Sequence, residues 1–114
     1  MSRDRRYYLE DIARSCEKIQ RFTAGMTLEA FLADERTYDA VVRNLEILGE
    51  AAKRVPDDTR IVLPGVEWKK AAGMRDMLAH AYFGIDNNIL WDVIQNKLPP
   101  LYAEIKEFLD ANPV

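Results

Sequence analysis

A chain of 114 residues, 48% apolar and 31% charged, can bury one hydrophobic core but not two, so it reads as a single soluble domain spanning 1–114. Five glycines and five prolines are too few for a disordered chain or a turn-rich β-sandwich, and one cysteine with one histidine excludes an intrachain disulfide and a zinc site of the usual nitrogen–sulfur kind. The net charge of −3 excludes a protein coated in positive charge for nucleic acid and leaves room only for a local phosphate-binding surface.

The start, Met-Ser-Arg-Asp-Arg-Arg, mixes charges and runs straight into a helical pattern. Leu9, Ile12, Cys16, Ile19 and Phe22 recur at spacings of three and four, and Gly25 closes that first helix. Thr27 suits the N-cap of a short second helix carrying Leu28, Phe31 and Leu32. The longest apolar run, Ala30 to Ala33, is four residues. Such a run serves neither as a membrane span nor as a signal sequence, and the expectation is a cytoplasmic protein without a targeting segment.

A third helix follows, with Tyr38, Val41, Leu45, Leu48, Ala52 and Val55 on one stripe and Pro56 ending it. The segment PDDTRIVLPG reads as a loop, its prolines and aspartates suited to turns, and its Ile61-Val62-Leu63 too short to make a sheet. A fourth helix runs from near Glu67 to Ala81 or Tyr82 with Ala71, Met74, Leu78 and Ala81 on its stripe, and Gly84 can end it. Asp86 suits the N-cap of a fifth helix carrying Ile89, Leu90, Val93 and Ile94. A kink or break is expected at Pro99-Pro100 before Leu101, Ile105, Phe108 and Leu109. The fold class is therefore all-α, a bundle of four to six helices.

Charge is unevenly distributed along this plan. Residues 60–75 carry four basic groups (Arg60, Lys69, Lys70, Arg75) against Glu67 alone, whereas residues 76–114 carry two against six acids. The basic stretch leads into GMRDMLAHAYFGID, which holds His80, the one histidine. Asp76 and His80 stand four apart, the helical spacing at which a carboxylate can orient an imidazole and raise its pKa. Arg75 and Tyr82, seven apart, share a different face. Arg75 and His80 are five apart, roughly 140° around an ideal helix. One straight helix therefore does not aim both at one small target: either the helix loosens near Tyr82-Phe83-Gly84, or two copies of the motif meet across a dimer.

Each of these residues also has an ordinary reading. His80 in a last helical turn gains from the helix dipole, Arg75 can be solvated or ion-paired, and Tyr82 can be a core aromatic with its hydroxyl at the rim. Trp68 and Trp91 read as core anchors rather than as platforms for stacked bases.

Arg75-x4-His80-x-Tyr82 resembles the signature of the HepT-like branch of the HEPN superfamily. Three ordered blocks extend the resemblance: RTYDAVVRNLEILGEAAKRVP (36–56), LPGVEWKKAAGMRDMLAHAYFGID (63–86) and LWDVIQNKLPPLYAEI (90–105). The resemblance implies a HEPN-like helical bundle that forms a homodimer, so that two motifs line one cleft. It implies an endoribonuclease toxin that works without metal or cofactor. Its partner would be a minimal nucleotidyltransferase antitoxin that silences the toxin by transferring AMP to Tyr82. RNA would be the substrate, transfer RNA being the class the family suggests, although nothing in the residues selects it over messenger RNA.

On that reading His80 deprotonates the 2′-hydroxyl, since its unperturbed pKa of about 6.5 suits a base. Arg75 stabilises the phosphorane-like transition state with a planar fork of donors, and Asp76 supports His80. Arg60, Lys69 and Lys70 are candidate contacts for flanking phosphates. The expected dimer surface comprises the helix of residues 38–55, where Gly49 and Ala52 permit close approach, and the segment from Trp68 to Tyr82. The alternative is a non-catalytic helical dimer that binds RNA or nucleotide or scaffolds the nucleotidyltransferase.

Overall fold

In the computed structural model, residues 3–79 and 84–113 are described, Arg3, Asp4, Arg75, Met77 and Ala79 by their backbone alone. These residues form seven α-helices: α1 (Arg3–Thr23), α2 (Leu28–Ala33), α3 (Glu35–Arg54), α4 (Asp57–Ile61), α5 (Trp68–Ala79), α6 (Asn87–Asp92) and α7 (Leu98–Ala111). A π-helical turn, Val93–Lys97, joins α6 to α7 without interruption. The described residues thus make six helical rods and contain no strand. None of the described helices is long and apolar enough to cross a membrane.

The helix boundaries follow local chemistry. Gly25 takes φ +74 just beyond α1, the left-handed conformation that lets a chain leave a helix. Thr27 accepts from the Ala30 N–H at 3.1 Å, and Asp34 caps α3 by accepting from both the N–H and the hydroxyl of Thr37. Those bonds, the backbone one foremost, hold the Asp34 carboxyl below its ordinary pKa. Asp86 caps α6 through the N–H groups of Asn88 and Ile89.

Two elements differ from the sequence expectation. The segment after Pro56 is not all loop, because Asp57–Ile61 closes into the short helix α4. Pro56 stands at its N-cap and two aspartates lie in its first turn, where the helix dipole favours negative charge. The irregularity expected at Pro99-Pro100 lies one turn earlier, in the π turn. A proline has no N–H to return to the carbonyl four residues back and its ring crowds that carbonyl, so the preceding turn widens. Leu98 N–H accordingly donates to Val93 O, five residues back, and the prolines follow directly in the first turn of α7.

The buried apolar residues form one cluster. Its centre is α3, which packs against both α1 and α5, while α1 also carries α7. Leu9, Ile12, Cys16 and Ile19 of α1 meet Val41, Leu45, Leu48 and Ala52 of α3 in this cluster, each at most 1% exposed. Gly49 and Ala52 are therefore buried within the protomer. The close approach that their small size permits is intramolecular, which corrects the expectation that they serve a dimer surface.

Phe31 pins α2 to the bundle. It is fully buried and stacks at tilted angles on Tyr38 of α3 and Trp91 of α6, with ring centroids 5.3 and 5.2 Å away. Tyr38 Oη then donates to Asn87 Oδ1 at 2.8 Å, tying the start of α6 to α3. At the far end, Arg6 Nη1 donates to Asn112 O at 2.7 Å, and Tyr102 Oη donates to Glu17 Oε1 at 2.6 Å.

Phe31→Ala should lower stability by about 3–5 kcal/mol, the range for deleting a buried aromatic, seen as a lower urea midpoint at unchanged slope. Burial pushes the Cys16 thiol up to about 12. The native protein should accordingly resist thiol reagents at pH 8 and become reactive in denaturant, and its stability should fall as pH rises through the alkaline range, where only the unfolded chain ionises.

Candidate active site

α5 carries Arg75 and Asp76 of the motif, and its placement begins at the end of α3. The last carbonyls of any helix lack intrahelical donors. Here Arg60 supplies them: Nε donates to Val55 O at 3.0 Å, and Nη2 to Ala52 O at 2.9 Å and Lys53 O at 3.5 Å. The same guanidinium lies 5.8 Å from the centroid of Trp68, the first residue of α5. Trp68 is buried, and its Nε1 donates to Leu63 O at 3.2 Å. One arginine thus closes α3, anchors α4 and meets the residue that starts α5.

From that anchor, Ala71 and Leu78 turn into the core with Trp68, while Lys69, Gly73 and Asp76 are exposed. Asp76 Oδ1 accepts from Lys53 Nζ at 2.7 Å, joining α5 to the last turn of α3. Lys69 stands seven residues before Asp76 and shares its face. Lys70 pairs with Glu67 at 3.3 Å, both side chains well exposed, which makes that pair weak and easily exchanged. The backbone of Arg75 is helical, and its side chain lies outside the described residues, as do His80 and Tyr82 altogether. The angular relation of Arg75 to His80 therefore falls outside the described residues too.

Of the sequence candidates, Lys69, Lys70 and Asp76 are each exposed on α5, Lys70 beside Glu67 and Asp76 beside Lys53. Arg60 is spent on the backbone of α3. Lys53 was not singled out from the sequence at all, since it is 23 residues from Asp76 and no spacing rule connects them. A groove of about 580 Å³ also runs between the first half of α5 and the α6–α7 rod, walled by Val66, Met74, Val93 and Leu101 with Lys70 and Glu104 among its polar groups. Neither Lys53 nor Asp76 lines it. Among the described residues no group of three His, Cys, Asp or Glu side chains is placed to hold a metal ion.

The family described as ribonuclease HepT-like matches residues 12–108. The chain belongs to the HepT-like ribonuclease family.

This HepT-like chain is 43% identical over 107 residues to a protein of Thermococcus cleftensis named "Probable ribonuclease HepT", covering 94% of this chain and 97% of the relative. A Methanocaldococcus jannaschii protein named as a candidate RNase is 44% identical over 107 residues, covering 94% of this chain and 88% of its own length. Another, from Caldanaerobacter subterraneus subsp. tengcongensis and named in the same way, is 42% identical over 104 residues, covering 91% and 93%. No solved structure gives a significant match. The HepT-like match spans α3, the Arg60–Trp68 contact and α5.

Arg60→Met should lower stability by about 1–3 kcal/mol, because it strips donors from part-buried carbonyls, and urea denaturation would measure it. Arg60→Lys should recover only part of the loss, since a single ammonium cannot reproduce the planar fork.

Proposed function

We propose that this protein is a metal-independent endoribonuclease toxin of a toxin–antitoxin pair, acting in the cytoplasm as a homodimer. The observation that carries the reading is the family match over residues 12–108, a span that includes Arg75, Asp76, His80 and Tyr82. Relatives named as ribonucleases over nearly the full chain support it.

His80 acts as the general base on the 2′-hydroxyl of RNA. The oxygen attacks the adjacent phosphate, the 5′-oxygen leaves with a proton, and the products are a 2′,3′-cyclic phosphate and a 5′-hydroxyl. Arg75 bears the extra negative charge of the phosphorane-like transition state. Asp76 orients His80 from four residues away, and the second copy of the motif completes the cleft. Lys69 and Lys70 hold flanking phosphates, for which their exposure suits them. Arg60 is left out of this set because its donors serve α3.

Tyr82 is the control point. A minimal nucleotidyltransferase antitoxin transfers AMP from ATP to its hydroxyl and releases pyrophosphate. The attached nucleotide places a bulky anion beside Arg75, where it competes with the RNA phosphate.

Purified protein should cleave RNA in the presence of EDTA, transfer RNA being the first substrate to try, and the products should carry cyclic phosphate ends. His80→Ala and Arg75→Ala should fold normally and lose roughly 100-fold or more in rate; full activity in His80→Ala would refute the base assignment. Incubation with ATP, a divalent metal and the cognate nucleotidyltransferase should add one AMP mass, and Tyr82→Phe should not accept it.

A further inference from the structure

We infer that the groove between α5 and the α6–α7 rod is covered by a second copy of this chain. The two rods run antiparallel about a two-fold axis at Pro100 and Leu101, so that Lys97 of each protomer pairs with the partner's Glu104. The inference rests on the homodimer reading above and gives that dimer its surface.

The groove leaves apolar surface unused. It measures about 580 Å³ and is walled by Val66, Met74, Val93 and Leu101. Ile89, which also lines it, is 51% exposed. In an isolated protomer this surface meets water, and a contiguous apolar patch of that kind marks an interaction site.

The charged groups of the groove say what fits it. Lys70 is paired with Glu67, and Asp92 accepts from Asn96 Nδ2 at 2.7 Å. Lys97 and Glu104, which also line it, have no hydrogen bond or ion pair among the described residues. They stand two turns apart on one face of the rod, with Leu101 between them. Glu104 is also given a seat: a Cβ on Gly65 would collide with its carboxylate, and Gly65 is not among the glycines with positive φ. Glycine at 65 therefore supplies room for this carboxylate rather than an unusual backbone.

A stripe of cation, apolar residue and anion is its own complement when reversed. Parallel rods would set Lys97 on the partner's Lys97 and Glu104 on the partner's Glu104, and like charges in contact oppose association. Antiparallel rods satisfy both charges twice and bury Leu101 at the centre. The contact is isologous and closes after two copies. A segment of another protein would need both charges in the reversed order, and this chain already carries them.

Sedimentation equilibrium of the full chain tests the contact through the dimer dissociation constant. Lys97→Glu and Glu104→Lys should each raise it by about tenfold or more. The double reversal restores both pairs and should return to within about threefold of the parent, a coupling that unconnected sites do not show. Mixing the two single variants should likewise form a heterodimer, since one carries two acids and the other two bases. Lys106→Glu, on α7 outside the groove, should leave the constant unchanged. Lys97 is exposed, so Lys97→Glu decides the matter even where Glu104→Lys fails to fold.

A parent dimer indifferent to Lys97→Glu, or weakened as much by Lys106→Glu, overturns this inference alone and leaves the groove to a different partner. A parent that stays monomeric at the highest concentration tested overturns the homodimer reading and this inference with it. RNA cleavage by that monomer would leave the ribonuclease reading standing.

Discussion

The end of α3 is the constraint on which the rest of the molecule depends. α3 packs against both α1 and α5, and its last carbonyls, part-buried at Ala52 and Val55, need donors from outside the helix. Arg60 meets that demand with Nε and Nη2, and it can do so only if α4 turns the chain back beneath the helix end. Trp68 then packs on the same guanidinium and hydrogen-bonds Leu63 O. The starting point of α5 is set by a helix-capping problem, and the residues further along α5 inherit their directions from it.

The described side chains of α5 divide between core and solvent. Trp68, Ala71 and Leu78 are buried, whereas Gly73 is exposed and a side chain there would meet nothing within 4 Å. A glycine inside a helix costs about 1 kcal/mol relative to alanine, and no packing in the protomer offsets it. The helix is anchored at its start and carries charged groups outward, an arrangement suited to presenting a site rather than to filling a core. The Lys53–Asp76 pair adds a second tie to α3 at the outward face.

Charge is unevenly shared among the elements. The net charge is −3; Lys53, Lys69 and Lys70 lie on α5 and the last turn of α3, two of them paired with Asp76 and Glu67, while the acids after residue 76 belong to the α6–α7 rod and its cap. A phosphate needs a positive surface only where it lands, since charge further than about 10 Å away is screened at ordinary salt.

Much of this was determined by the sequence itself. The apolar stripes of α1, α3, α5 and α7 and the helix-end residues Gly25, Thr27 and Asp86 involve residues within a turn or two of one another, and such short-range geometry is written into spacing and side-chain chemistry. The ordered blocks around Arg75, His80 and Tyr82 likewise carry the family resemblance in the sequence itself.

Tertiary structure alone decided the rest. Only packing could show that Gly49 and Ala52 are consumed inside the protomer, that two prolines are accommodated by a π turn at 93–97, and that Arg60 serves a helix end. It also brought Lys53 to Asp76 across 23 residues. Helical periodicity reports which face of a segment is buried. It carries no information about which neighbour covers that face, and interactions between helices depend on the neighbour.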